Sequence, residues 1–178
     1  QIRRETDKII RVDANEGWDL ETGISMSFWL ADNNIEFIEQ PFKSTNLSDT
    51  AQLKIKSPLP IIADENSINA SDIPKIENVF DGINIKLMKC GSLFEAIKMV
   101  KMARERDMQI MLGCMIESSV AITAAAHISP LVDYADLDGN LLINNDPYKG
   151  VTVDNGRLIL PRTHGMGVSL IDNDTSLR

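Results

Sequence analysis

Long apolar runs are missing from this 178-residue chain, and so are a paired-cysteine pattern and a surplus of positive charge. With no stretch of 18 or more apolar residues, nothing in it reads as a membrane span. The two cysteines, Cys90 and Cys114, stand far apart and in no CxxC. Two cysteines do not make a disulfide framework in a chain of this length, so they read as reduced thiols of a cytoplasmic protein. Acidic residues outnumber basic ones, 26 to 18, for a net charge of −8. Such a surface does not neutralise phosphates, which argues against non-specific nucleic-acid binding. No secretory leader opens the chain, and it does not begin with Met. Its start, QIRRETD, reads as the last turns of a helix whose beginning lies elsewhere, so a fragment is expected.

What is present is a repeat of short β-rich runs separated by helical patterns. The runs are 9–13 (IIRVD), 35–39 (IEFIE), 59–64 (LPIIAD), 82–86 (GINIK), 109–114 (QIMLGC) and a weaker one at 132–136 (VDYAD). Each has the length of a buried strand. Between them, Ile24, Phe28 and Trp29 mark one face of a helix. Ser92 and Glu95 have capping-box spacing, with Leu93, Ile97 and Val100 following as an apolar stripe. Ser118 and Ser119 open a further helix that Pro130 ends, with His127 packed within it. The charged stretch 98–107 reads as a solvated helix face. The strand ends fall at 13, 39, 64, 86, 114 and 136, so the intervals are 26, 25, 22, 28 and 22 residues. A βα unit repeated at near-constant length means a parallel sheet, either doubly wound or a (β/α) barrel. The absence of GxGxxG after the first run disfavours a dinucleotide fold. Beyond Gly139 the pattern changes to a hairpin over 151–160 with an Asn155-Gly156 turn. The pattern therefore divides the chain into 1–140, the repeated βα units, and 141–178, a C-terminal segment with the hairpin.

Three consecutive runs end in an acid: Asp13, Glu39 and Asp64. In a parallel barrel these converge on the C-terminal face, where barrel enzymes keep their active sites. Converging carboxylates need a counter-charge, and a hard divalent cation such as Mg²⁺ supplies it. The fourth run ends in Lys86, aimed into the same mouth. The bland alternatives are that the acids cap the following helices and that Lys86 only forms a salt bridge.

The motifs Asp13-Ala14-Asn15 with Gly17-Trp18, Ile38-Glu39-Gln40-Pro41, Ala63-Asp64-Glu65, and Asn84-Ile85-Lys86 with Lys89 and Gly91 resemble the enolase superfamily, and within it the muconate-cycloisomerase branch. Residues 113–119 (GCMIESS) with Asp136-Leu137-Asp138-Gly139 look more narrowly like the dipeptide epimerases of that branch. The resemblance implies the C-terminal part of a (β/α)7β barrel, about its third to eighth strands. An N-terminal capping domain, the first two strands and a Lys-x-Lys motif would lie outside this chain. It implies Mg²⁺ held by Asp13, Glu39 and Asp64, and Lys86 as one of two acid/base lysines, with Lys89 its rival. Asp136 and Asp138 would bind a dipeptide's ammonium, with Cys114 and Met115 lining the substrate site. Asn15 and Glu65 would stand behind the metal ligands, Glu65 neutralising a lysine in the mouth. The implied reaction is a 1,1-proton transfer through an enediolate on an Ala-Glu-like dipeptide from cell-wall turnover. The complete protein would be a homo-oligomer. For Asn15 a turn cap, for Glu65 a solvated loop acid, for Asp136 and Asp138 plain loop acids, and for Cys114 a small buried hydrophobe remain the alternatives. His164 receives no role. Other members of the branch (o-succinylbenzoate synthases, acylamino-acid racemases, cycloisomerases) and a non-catalytic fragment are the rival functions.

Overall fold

The computed structural model describes residues 1–171. Six strands form one parallel sheet in simple sequence order: β1 (Ile10–Asp13), β2 (Ile35–Glu39), β3 (Ile61–Ala63), β4 (Gly82–Lys86), β5 (Gln109–Gly113) and β6 (Tyr134–Ala135). The helices α1 (Ile2–Glu5), α2 (Leu20–Asp32), α3 (Leu47–Lys56), α4 (Ile73–Ile76), α5 (Leu87–Cys90), α6 (Leu93–Arg104) and α7 (Ser119–Ile128) fill the gaps. All six expected strands form, although the weak sixth shrinks to two residues and Asp64 lies one step past β3.

The sheet is steeply curved. Flat, with strands about 4.8 Å apart, β1 and β6 would be roughly 24 Å from each other. Yet the Arg11 guanidinium on β1 lies 4.7 Å from the centre of the Tyr134 ring on β6. Phe37 on β2 is also close to Tyr134, with ring centres 5.0 Å apart. The sheet is thus an arc of a barrel wall, and alternation along each strand separates two cores. Phe37, Ile62, Met111 and Tyr134 fill the concave side. Ile38, Ile61, Ile83, Ile85, Ile110 and Leu112 face the helices on the convex side. Each such residue contributes about 1.5–3 kcal/mol on full burial.

Two helix faces differ from expectation. In α2 the buried residues are Gly23, Ser27 and Leu30, while Phe28 and Trp29 are 52% and 57% exposed. In α6 they are Ala96, Met99, Val100 and Ala103, and Ile97 is 46% exposed. Both helices approach the sheet on small residues: a Cβ on Gly23 would come 2.6 Å from the Phe42 ring. Ser92 caps α6 by accepting from Glu95 N at 3.1 Å. The Glu95 carboxylate does not return that bond; it accepts from Ala70 N at 2.8 Å, tying α6 to the β3–α4 connection. His127 is exposed rather than packed within α7, with Nε2 3.1 Å from Met166 O.

After a 3-10 helix at Gly139–Leu142 come β7 (Tyr148–Lys149), the hairpin β8 (Thr152–Asp154) with β9 (Arg157–Ile159), and β10 (Ser169–Leu170) against β7. The hairpin turn places Asn155 and Gly156 at φ 48° and 77°, the paired positive values that a tight two-residue turn needs. This segment meets α7, where Thr123 Oγ1 accepts from Val151 N at 2.8 Å. Of the expected C-terminal segment 141–178, residues 172–178 lie outside the described residues.

Candidate active site

The carboxyl ends of the strands meet at a cavity of about 190 Å³. Asp13, Glu39 and Lys86 line one part of it, with Asn84 behind them; Cys114, Asp136 and Asp138 line another. Asp13 is exposed, and its Oδ1 accepts from Asn15 N at 2.7 Å. Asn15 turns there with φ 46°, which an Asn tolerates better than most residues. Glu39 is 5% exposed and accepts from Asn84 Nδ2 at 2.6 Å. Burial first, then the charges of Asp64 and Asp13, push its pKa up to about 7, against the opposing hydrogen bond from Asn84.

Asp64 is buried behind the cavity between two lysines. Lys86 Nζ donates to its Oδ2 at 2.7 Å, and Lys89 Nζ donates to its Oδ1. Lys89 also donates to Asp64 O at 2.7 Å and Asn84 O at 3.0 Å, so all three ammonium protons have acceptors. Burial pulls both lysines downward. At Lys86 the bond and charge of Asp64 outweigh burial and raise the pKa; at Lys89 burial wins and it is lowered.

Among the described residues, no three His, Cys, Asp or Glu side chains stand as a ready metal-ligand group. The reason is local: Asp64 spends its oxygens on the two lysines. In chemistry the donors nonetheless suit a hard divalent cation, since Asp13, Glu39 and Asp64 offer only carboxylate oxygens and crowd negative charge around a buried Glu39.

On the opposite wall, Asp136 and Asp138 do not share a strand face, although both fall at the end of the sixth run. β6 ends at Ala135, and Asp138 precedes the 3-10 helix. The two acids still reach one cavity, because Asp136 N bonds back to Leu112 O at 2.9 Å and holds the chain beside β5. Burial and the neighbouring Asp138 raise the pKa of Asp136, with Arg11 and Lys86 opposing. Cys114 lies 3.9 Å from Asp138 Oδ1, and burial raises its thiol. Met115 is 48% exposed and outside the cavity lining. Glu65 forms no ion pair among the described residues. Its Oε2 is buried without a hydrogen-bond partner, and burial followed by the charge of Asp64 raises its pKa.

Three residues with a place around the site were not singled out by sequence. Gln40, 1% exposed with φ 34°, accepts from Asp64 N at 2.9 Å and donates to Phe42 O and Asn66 Oδ1. Arg11 pairs with Glu36 at 2.7 Å and stacks on Phe37 and Tyr134, one layer below Asp13 and Asp136. Asn84 ties Glu39 to β4. Gln40 and Asn84 stand in the motifs quoted above without a role of their own, and their contacts, like those of Arg11, depend on which strands become neighbours.

A parallel sheet curved into a barrel wall, with acids and a lysine at its carboxyl edge, defines a class, the (β/α) barrels. The match to the family described as Enolase C-terminal domain-like, over residues 1–174, makes the assignment specific: the chain belongs to that family. It is 49% identical over 171 residues to the L-Ala-D/L-Glu epimerase of Bacteroides thetaiotaomicron, covering 96% of this chain and 45% of that protein. It superposes on the dipeptide epimerase of Cytophaga hutchinsonii, complexed with Mg and D-Ala-L-Val, at a TM-score of 0.86 and 29% identity, over 93% of this chain and 47% of the other. The N-succinyl Arg/Lys racemase of Bacillus cereus superposes at 0.85 and 28% identity, over 96% and 48%. The chain thus spans about half the length of the relatives it matches.

Proposed function

We propose that the full-length protein is a cytoplasmic epimerase of dipeptides working by 1,1-proton transfer, with this chain supplying one acid/base lysine, the metal ligands and the ammonium site. The observation that carries the reading is a single cavity lined by Asp13, Glu39 and Lys86 and also by Asp136 and Asp138. A dipeptide has a carboxylate at one end and an ammonium at the other, and this lining offers a partner for each. Asp13, Glu39 and Asp64 would hold Mg²⁺, which when bound stabilises the negative charge that builds on the substrate carboxylate as the α-proton leaves.

Lys86 is the base of choice over Lys89. Lys89 spends all three donors on fixed acceptors, whereas Lys86 has one partner and lines the cavity. Were Asp64 to hold a cation, Lys86 would lose its one partner and burial would favour its neutral amine, whereas Lys89 would keep the carbonyls of Asp64 and Asn84. Return of a proton from the opposite face falls to a Lys-x-Lys motif outside this chain. The alternative is racemisation of an N-acylated amino acid, which brings no ammonium for Asp136 and Asp138.

The test is selectivity. An N-acetylated dipeptide brings no ammonium to Asp136 and Asp138, which line the cavity, so it should be a poorer substrate than the free one. Asp138→Asn should narrow that gap by harming the free dipeptide more. Equal kcat/KM for the two substrates on the parent protein would shift the reading to an acylamino-acid racemase.

A further inference from the structure

Asn84 points inward from the middle of β4 and is 1% exposed. Its Nδ2 donates to Glu39 Oε1 at 2.6 Å, while its Oδ1 is buried and meets no donor among the described residues. Buried polar atoms are nearly always paired, so an orphaned one calls for a reason. The neighbouring strand is shaped around this amide. At Gly113 on β5, a Cβ would come within 2.6 Å of Asn84 Oδ1 and 2.8 Å of Nδ2. A glycine inside a strand weakens it and marks a close approach. Two local costs, an unpaired carbonyl and a bare strand position, therefore surround one hydrogen bond, and that bond goes to Glu39. A leucine has nearly the shape of this amide and would fill the same space, but it would strip the buried Glu39 Oε1 of its donor, so packing alone does not account for an asparagine here.

We propose that Asn84 is a positioning residue that fixes the Glu39 carboxylate for the cation, with Gly113 as the recess that admits the amide. Oε1 is tied to β4, and Oε2, which accepts no hydrogen bond among the described residues, is left to meet the metal. The inference rests on the reading of Asp13, Glu39 and Asp64 as metal ligands.

The experiment is a calorimetric Mg²⁺ titration of the full-length protein, with thermal melts of the metal-free forms, for the parent, Asn84→Leu, Gly113→Ala and Asp64→Asn. Partners standing behind metal ligands are worth about 10–100-fold in metal affinity. Asn84→Leu and Gly113→Ala should each weaken Mg²⁺ binding by about that much. The metal-free melting temperature of Asn84→Leu should move little, since the variant removes one unpaired carbonyl while leaving Glu39 Oε1 without its donor. Parent-like Mg²⁺ affinity in both variants, with affinity lost in Asp64→Asn, would overturn the proposal and leave the metal site standing. Affinity retained in Asp64→Asn would instead overturn the metal site, and this inference with it. Weakened binding accompanied by collapse of the metal-free fold would mark Asn84 as structural and also overturn the proposal. If Asn84→Leu does not fold, Gly113→Ala decides on the same criteria.

Discussion

Lys86 and Lys89 stand three residues apart and share one carboxylate, yet their surroundings assign them different work. Lys89 ends the short α5 with its ammonium locked on Asp64 and two backbone carbonyls, and Lys86 closes β4 at the cavity. In the full-length protein, Lys86→Ala should remove epimerisation by at least about 10²-fold, the usual worth of a positioned base. Exchange of the α-proton with solvent on one substrate enantiomer should survive, because the opposite lysine still serves its own face. Lys89→Met should act first on stability, costing about 1–3 kcal/mol by removing the donor to Asp64 Oδ1 and to the Asp64 and Asn84 carbonyls, while Lys86 still pairs Asp64. Full epimerase activity in Lys86→Ala would transfer the role to Lys89. Residues of this kind were legible where chemistry repeats in phase with strand ends, as with Asp13, Glu39, Asp64 and Lys86. Asn84, Gln40 and Arg11 were not, because their cross-strand partners lie from 24 to 123 residues away and are chosen by strand order. Glu65 pairs with no lysine among the described residues, since Lys86 and Lys89 both go to its neighbour Asp64.

The strands are anchored at their amino ends by a device that occurs twice. Asp81, just before β4, accepts from Ile61 N at the start of β3 at 2.8 Å and pairs with Lys54 of α3 at 3.4 Å. Asp133, just before β6, accepts from Ile110 N in β5 at 2.8 Å and takes two bonds from Arg104 of α6, at 2.7 and 2.9 Å. In each case one carboxylate joins a helix to two neighbouring strands. The Arg104 bond lowers the Asp133 pKa below 3.8, helped by Ile110 N against burial. A depressed carboxylate stabilises the fold above its unfolded pKa, and that stabilisation fades as pH falls through the folded value. Asp133→Ala should therefore lower stability by about 1–3 kcal/mol at pH 7, and the gap to the parent in thermal melts should shrink below about pH 4. A gap that is constant from pH 7 to pH 3 would contradict this. At this scale strand positions were readable because apolar β-branched runs are distinctive, whereas helix faces were not. Alanine and glycine carry no strong hydrophobic signal, yet they are the residues that let α2 and α6 approach the sheet.

The whole molecule is an arc of six strands whose two edges, β1 and β6, converge across the Arg11–Tyr134 stack without pairing. The near-constant 22–28-residue spacing announced the parallel order, but spacing alone left open whether the sheet was flat or curved. Curvature comes from the packing of Phe37, Ile62, Met111 and Tyr134 on the concave side. That curvature brings the Asp13 and Asp136 ends of the sheet to one cavity, and so permits one small substrate to meet both. The most direct measurement is proton NMR of the full-length protein with Mg²⁺ in deuterated water, offered L-Ala-L-Glu and, separately, an N-succinyl amino acid. The account predicts deuterium at the α-carbon of the dipeptide's C-terminal residue together with growth of the L-Ala-D-Glu signals, and little change in the succinyl compound. Racemisation of the N-succinyl amino acid with the dipeptide left unlabelled would contradict it.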